Sequence, residues 1–277
     1  MKTLAYAKIN ACLDVVERRK DGYHTLNMIM LPISLADEIE IQCSQNDEYS
    51  SNIDMMFNEK NTIVKAVELM RKTYQLNTGF KIHVNKKIPM EAGLAGGSSD
   101  AAAVMKAINQ LCKCNQSDES LAALGKQIGA DVPFCVIAKP SIVGGIGEII
   151  TPFELTQHPY ILLVKPKQGV STGKAFSMLD FDTIQHCDVE KVKWHLIDKD
   201  YTSLQQAAFN SLEAPAFTLV PRIKEIKEIL INKGFEFALM SGSGSTVFAL
   251  TENKELIQQA INENWFHDEF VCSCEII

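Results

Sequence analysis

Two residues of opposite charge stand where their neighbours do not explain them. Lys8 interrupts an otherwise apolar run, AYAKINACL, and Asp131 follows a glycine and precedes Val-Pro-Phe in GADVPFCV, Gly129 to Val136. A carboxylate can take or orient the proton of an attacking hydroxyl, and a lysine can keep it ionised while meeting a phosphoryl group in flight. Each also has a plainer reading. Lys8 can point outward from an edge strand and snorkel to water, and Asp131 can cap a turn behind a helix-ending glycine. Only if both face one phosphate do they make a pair.

A place for that phosphate is written into PMEAGLAGGSSDAAA, Pro89 to Ala103. Before it, FKIHVNKKI alternates Phe80, Ile82 and Val84 with Lys81, His83 and Asn85, the period of a half-buried strand. After it, Ser98 and Ser99 offer N-caps, Asp100 falls in the first turn, and Ala101 to Leu111 keeps helical apolar spacing. The glycines therefore join a strand to a helix N-terminus. Glycine permits positive φ and close backbone approach, and the first helical N–H groups favour an anion. The stretch is neither a P-loop nor G-x-G-x-x-G, so the pattern alone does not identify its ligand.

Two further segments have double readings. In DGYHTL, Asp21-Gly22 signals a turn, so Tyr23 and His24 are either an exposed hairpin tip or a stacking platform and hydrogen-bonding edge for a planar ligand. SGSGS, Ser241 to Ser245, is either a plain hairpin loop or a set of backbone N–H groups for a phosphate.

The elements that must hold these residues form two domains, divided at 155/156, where Thr151 to Pro159 turns proline-rich and polar. The N-terminal half reads as short apolar segments at 4–16 and 28–33, a strand at 38–42, a hairpin loop at 44–52, and an amphipathic helix at 61–74 with Ile63, Val67 and Met70 on one face. The Phe80 strand, the glycine stretch and its helix follow, then a helix at 117–128 closed by Gly129. The second half reads as a strand at 160–164, helices to about residue 217 and a helix from Pro221 to Gly234. Strands at 235–240 and 246–250, a helix at 254–264 and a strand at 271–277 complete a ferredoxin-like order.

The chain has 277 residues, 46% apolar and 22% charged, and a formal net charge of −7. That is ordinary globular composition, and the acidity argues against a nucleic-acid partner. The eight cysteines fall singly or as C-x-C, at Cys112/Cys114 and Cys272/Cys274, without the C-x-x-C pairs of a zinc site. No apolar run reaches membrane-span length and MKTLAYAKIN lacks a signal-peptide core, so a cytoplasmic protein without a membrane partner is expected.

AKIN, DGYHTL, IPMEAGLAGGSSDAA, GADVPFCV and MSGSGSTVF, in this order across the whole chain, resemble the GHMP kinase superfamily. The DGYHTL element is similar to those members that act on a cytidine-diphosphate substrate. The resemblance implies an α+β fold with a ribosomal-S5-domain-2-like N-terminal domain (1–155) and a ferredoxin-like C-terminal domain (156–277). It implies phosphorylation, by ATP with Mg2+, of the 2-hydroxyl of 4-diphosphocytidyl-2-C-methyl-D-erythritol in non-mevalonate isoprenoid synthesis. Lys8 and Asp131 match the catalytic pair. Pro89, Met90, Glu91, Ala92, Gly93, Leu94, Ala95, Gly96, Gly97, Ser98 and Ser99 match the ATP phosphate loop, with Ser99 also a metal ligand by transfer. Asn10 matches a residue near the reacting hydroxyl, Tyr23 a ring that stacks on the base, and His24 a residue that reads it. A monomer or homodimer is implied. Ser245, Ile146 and Ser211 depart from the family pattern, which usually has proline, arginine and aspartate there. The rival readings are a GHMP kinase for homoserine, a sugar or a mevalonate derivative, and a non-catalytic binding protein on the same fold.

Overall fold

A computed structural model describes residues 1–156 and 159–277. In chain order the elements are β1 (Lys2–Arg18), β2 (His24–Ser44), β3 (Glu48–Ser51), α1 (Thr62–Tyr74), β4 (Gly79–Asn85), α2 (Gly96–Leu111), α3 (Asp118–Gly125) and α4 (Val132–Ile137). Then come β5 (Ser141–Gly145), β6 (Ile149–Pro152), β7 (Tyr160–Lys165), α5 (Thr172–Ser177), α6 (Val189–Ile197), α7 (Tyr201–Ala207) and α8 (Glu213–Leu219). The chain ends with α9 (Arg222–Asn232), β8 (Phe237–Met240), β9 (Val247–Thr251), α10 (Lys254–Asn262) and β10 (Phe270–Cys274). This mixed content is the α+β fold expected.

The chain forms two compact units and passes between them several times. Met1–Ala7, Leu35–Ile88 and Ala95–Lys139 make one; Lys8–Ser34, Pro89–Leu94 and Pro140–Ile277 make the other. A division at 155/156 follows chain order instead, and Gln157 and His158 of its boundary stretch lie outside the described residues.

In the first unit, β4 pairs antiparallel with Glu38–Ser44 of β2 and parallel with β3. Its alternation is as the sequence expects: Phe80, Ile82 and Val84 are buried while Lys81 and His83 are exposed. Helix α1 starts where Asn61 accepts the Ile63 N–H, and it buries Ile63, Val67 and Met70 against the same core as α2. Fully burying a side chain the size of Phe80 contributes about 1.5–3 kcal/mol, which is why this alternation fixes the strand's face.

In the second unit, Leu26–Met30 of β2 pairs with β5, and β5 with β6. A separate antiparallel sheet runs β10-β7-β9-β8. Numbered within that sheet, the order is 4-1-3-2, the arrangement of a ferredoxin-like βαββαβ unit. Gly234, at φ +102°, closes α9.

Three expectations are corrected. The short apolar segments of the first half are parts of two long strands, β1 of 17 residues and β2 of 21. The supposed hairpin loop at 44–52 contains β3, whose polar residues suit a sheet edge. Helix α3 ends at Gly125, not at Gly129, because the chain beyond it tightens into turns, the Gln127 and Ile128 N–H groups donating to the Leu124 and Gly125 carbonyls at 3.2 and 2.9 Å.

Candidate active site

Lys8 lies on β1, only 4% exposed, and so does not point to water. Its Nζ donates to Asn10 Oδ1 at 2.7 Å and to the Gly93 carbonyl at 3.0 Å. Both acceptors are neutral oxygens, and the two contacts aim the ammonium. Asn10, 1% exposed, is fixed in turn: its N–H donates to Ser241 Oγ and its Nδ2 to Met28 Sδ, both at 3.3 Å.

The first part of the glycine stretch sits in this same unit, knitted to SGSGS. The N–H groups of Ser245 and Thr246 donate to the Glu91 and Ala92 carbonyls at 3.3 and 3.2 Å, and Ser241 Oγ donates to the Gly93 carbonyl at 2.9 Å. Gly93 is at φ +72°, and a Cβ there would lie 2.0 Å from the Ser241 carbonyl oxygen. A Cβ on Gly242 would meet the Gly93 oxygen at 2.9 Å and Lys8 Nζ at 3.3 Å. These glycines are thus what lets the two loops and Lys8 converge, and SGSGS is more than a plain hairpin loop.

Sequence reasoning passed over the side chains that hold SGSGS. Asn210, 5% exposed, donates from Nδ2 to the Met240 and Gly242 carbonyls at 2.7 and 2.8 Å, and its Oδ1 accepts the Leu212 N–H at 2.9 Å. Glu213 accepts the Met240 N–H and pairs with Lys227 at 2.7 Å. The signal was NSLE, Asn210 to Glu213, noticed only for its departure at Ser211. That serine accepts the Val15 N–H at 3.0 Å, and Ser245 Oγ donates to the Gln168 carbonyl at 2.7 Å, so both departures are built into the backbone network.

The second part of the stretch, from Ala95, opens α2 in the first unit. The helix begins at Gly96 behind Ala95, at φ +58°, which gives it no side-chain cap. Ser98 and Ser99 are therefore not N-caps, and Asp100 is past the first turn. The helix can begin early because Gly96 and Gly97 have no side chains to collide with Ile88 and Thr62, their absent Cβ atoms lying 3.0 and 3.2 Å from those side chains. Positive φ falls at Glu91, Gly93 and Ala95, not at Gly96 or Gly97. Ser99 is 2% exposed and donates to the Tyr6 and Ala95 carbonyls at 2.7 and 3.1 Å. Asp100 is buried on Lys86. Burial, opposed by Lys86 but reinforced by the Asp37 charge, raises its pKa to about 7.

Asp131 is the residue before α4, partly exposed, and its side chain makes no cap bond to that helix. Its turn runs beside the start of α2: a Cβ on Gly129 would lie 3.8 Å from Ser98 Oγ, and Cys135 Sγ lies 3.4 Å from Ser99 Oγ. Asp131 and the α2 N-terminus thus belong to one unit, Lys8, Asn10 and Gly93 to the other.

DGYHTL forms the turn between β1 and β2, with Gly22 at φ +87° and the Arg19 N–H donating to the Tyr23 carbonyl at 2.8 Å. Tyr23 is 59% exposed. The His24 ring stacks on Phe176 (centroids 4.8 Å apart) and lies nearly parallel to Phe181 (6.1 Å, 8°). Burial, then the Arg18 charge, hold its pKa below the ordinary 6.5. A neutral imidazole offers one donor and one acceptor. The two phenylalanines were not singled out from sequence, since they lie about 150 residues further along the chain.

Two family profiles match the chain: "GHMP kinases N terminal domain" over residues 61–139 and "GHMP kinases C terminal" over 192–267. The chain belongs to the GHMP kinase family. The 4-diphosphocytidyl-2-C-methyl-D-erythritol kinase of Lachnoclostridium phytofermentans is 40% identical over 94% of this chain and 90% of its own length. The kinase of the same name from Enterococcus faecalis is 38% identical over 93% and 92%. A crystal structure of 4-(cytidine 5'-diphospho)-2C-methyl-D-erythritol kinase superposes with a TM-score of 0.85 at 31% identity, covering 100% of this chain and 99% of the other.

Membership in this kinase family carries ATP use with it. Among the described residues no helix is long and apolar enough to cross a membrane, and no group of three or more His, Cys, Asp or Glu is placed to hold a metal ion.

Proposed function

We propose that this GHMP kinase transfers the γ-phosphoryl group of ATP to the 2-hydroxyl of 4-diphosphocytidyl-2-C-methyl-D-erythritol. The observation that carries the choice of substrate within the family is the DGYHTL turn, where His24 stacks with Phe176 and Phe181 beside the exposed Tyr23. A planar base fits such aromatic faces, and a substrate without a nucleobase needs none.

Residue roles follow from the chemistry. Asp131, a partly exposed carboxylate at the head of α4, accepts the proton of the attacking hydroxyl. Lys8, aimed by Asn10 and Gly93, meets the negative charge that develops on the transferring group. Asn10 holds Lys8 and orients the hydroxyl. Tyr23 stacks on the cytosine and His24 bonds its edge. Pro89 to Ser99 receive the triphosphate: α2 has no side-chain cap, so its first N–H groups suit an anion.

Mg2+ neutralises phosphate charge in such a reaction. Ser99 does not fit as its ligand, because the hydroxyl is only 2% exposed and is turned inward to the Tyr6 and Ala95 carbonyls, which share its one proton. The ion would be held mainly through the phosphates. Residues 1–155 and 156–277 serve as the two family-type domains, and the eight cysteines, spaced singly or as C-x-C, suit a reducing cytoplasm.

The test is a substrate panel. Purified protein with ATP and magnesium is offered the cytidine-diphosphate alcohol, homoserine and mevalonate, and ADP release is followed. Rapid turnover of the first alone is expected; preference for either other alcohol overturns the assignment.

A further inference from the structure

Three charged residues of the first unit are buried together at the base of the glycine stretch. The side chains of Asp37, Lys86 and Asp100 are 0%, 6% and 2% exposed. Lys86 Nζ donates to Asp37 and, at 2.6 Å, to Asp100 Oδ2. Asp37 Oδ1 also accepts the backbone N–H groups of Lys87 and Ile88 at 2.5 and 2.8 Å. Residue 86 is clamped once more through its backbone, its N–H donating to Asn52 Oδ1 at 2.7 Å and its carbonyl accepting from Asn52 Nδ2 at 3.2 Å.

This is a poor arrangement for stability alone. Buried ion networks are often no better than apolar residues of similar volume, and Asp100 Oδ1 is buried with no hydrogen-bond partner. What charges supply here is direction. Asp37 fixes the two residues at which the chain leaves the unit, and Lys86 ties that point to Asp100, in the second turn of α2, where the chain has returned. The absent Cβ of Gly96 lies 3.0 Å from Ile88 Cγ2 and 3.5 Å from Lys86 Nζ, so the strand end and the helix start touch.

We propose that Asp37, Lys86 and Asp100 are positioning residues for ATP: the triad sets the placement of the α2 N-terminus relative to the end of β4, and with it the phosphate-binding N–H groups. The inference rests on α2 receiving the triphosphate. It concerns nucleotide alone, so the acceptor alcohol is unaffected.

The decisive variant is Lys86→Met with Asp37→Asn and Asp100→Leu, which removes the three buried charges together while keeping an amide oxygen at residue 37 for the Lys87 and Ile88 N–H groups. Its Tm should match or exceed that of the wild type. The KM for ATP should rise at least about tenfold, below the ~10²-fold scale of a full ångström of misplacement. The KM for the alcohol should stay within about twofold, the scatter of such constants. A purely structural triad predicts the opposite split, a changed Tm with an unchanged KM for ATP, and that result overturns the proposal. If the triple variant does not fold, Asp100→Asn, which keeps the shape, is read the same way: a raised KM for ATP alone supports the proposal, and wild-type KM values sink it. Calorimetry with a non-hydrolysable ATP analogue separates the two readings. A wild type that binds no analogue removes the nucleotide reading and this inference together, whereas variants that bind as tightly as wild type remove the inference alone.

Discussion

Replacing Gly93 by alanine adds one methyl group where the structure has no room for it. The residue is at φ +72°, and its new Cβ would fall 2.0 Å from the Ser241 carbonyl oxygen, 2.9 Å from the carbonyl carbon and 3.0 Å from the Gly244 nitrogen. All three are backbone atoms, so no rotamer relieves the overlap. Reaching an ordinary 3.4 Å contact requires the two loops to part by about 1.4 Å. The Gly93 carbonyl then loses its bonds from Ser241 Oγ and Lys8 Nζ, 2.9 and 3.0 Å long. Left-handed strain of about 1–2 kcal/mol, one neutral bond of about 0.5–1.5 and one charged bond of about 1.5–3 together give a loss of about 3–6.5 kcal/mol. A displacement beyond 1 Å at a positioned group costs about 10²-fold in rate. Gly234→Ala is the control: φ is +102°, but nothing lies within 4 Å of the added atom. It should cost about 1–2 kcal/mol of strain and leave turnover alone. Urea unfolding and ADP-release rates on both variants decide the matter. If Gly93→Ala loses no more stability than Gly234→Ala and keeps its kcat, the convergence of loops on Lys8 has no part in catalysis.

Asp131→Asn keeps the shape but cannot accept a proton, so kcat should fall about 10²-fold or more while both ligands still bind; near-normal turnover removes its role as base. Tyr23→Ala should weaken cytidine-nucleotide binding by about 1–3 kcal/mol, roughly 5- to 150-fold, with Tyr23→Phe losing far less and ATP-analogue affinity unchanged in both. Because the folded-state pKa of His24 lies below 6.5, the ring is neutral above that pH and protonates as pH falls through the lower value. Cytidine-nucleotide affinity should accordingly be flat above about pH 7 and decline below His24's own pKa, read by calorimetry across about pH 5 to 8. Asn210→Ala strands two carbonyls and one N–H under SGSGS and should lower both Tm and kcat, by a few kcal/mol in stability at about 1–3 per unsatisfied group.

Much of the fold was legible because single periods governed it. β4 alternates cleanly, α1 carries its cap and stripe, and α9 has proline and glycine at its ends. Reading failed where tertiary pairing overrode composition: β3 is polar because it sits at an edge, and β1 and β2 run through polar residues because neighbouring strands pair with them. For the candidate site, residue types singled out Lys8, Asp131 and the glycines, and Asn10 entered only through the family resemblance. The helix start did not read correctly, because serines look like caps until Gly96 and Gly97 are seen pressed against Ile88 and Thr62. Phe176, Phe181 and Asn210 stayed hidden for another reason. They act on segments more than 100 residues earlier or on a loop about 30 residues later, and only folding brings them there.

The most direct test of the central claim is the position of the new phosphate. The protein is incubated with ATP, magnesium and 4-diphosphocytidyl-2-C-methyl-D-erythritol, and the product is analysed by phosphorus NMR and fragment-ion mass spectrometry, with Asp131→Asn alongside. One added phosphoryl group on the 2-hydroxyl, formed by the wild type and nearly absent with the variant, is the outcome predicted here. No phosphorylated product, a phosphate on another oxygen, or equal yield from Asp131→Asn would contradict the account.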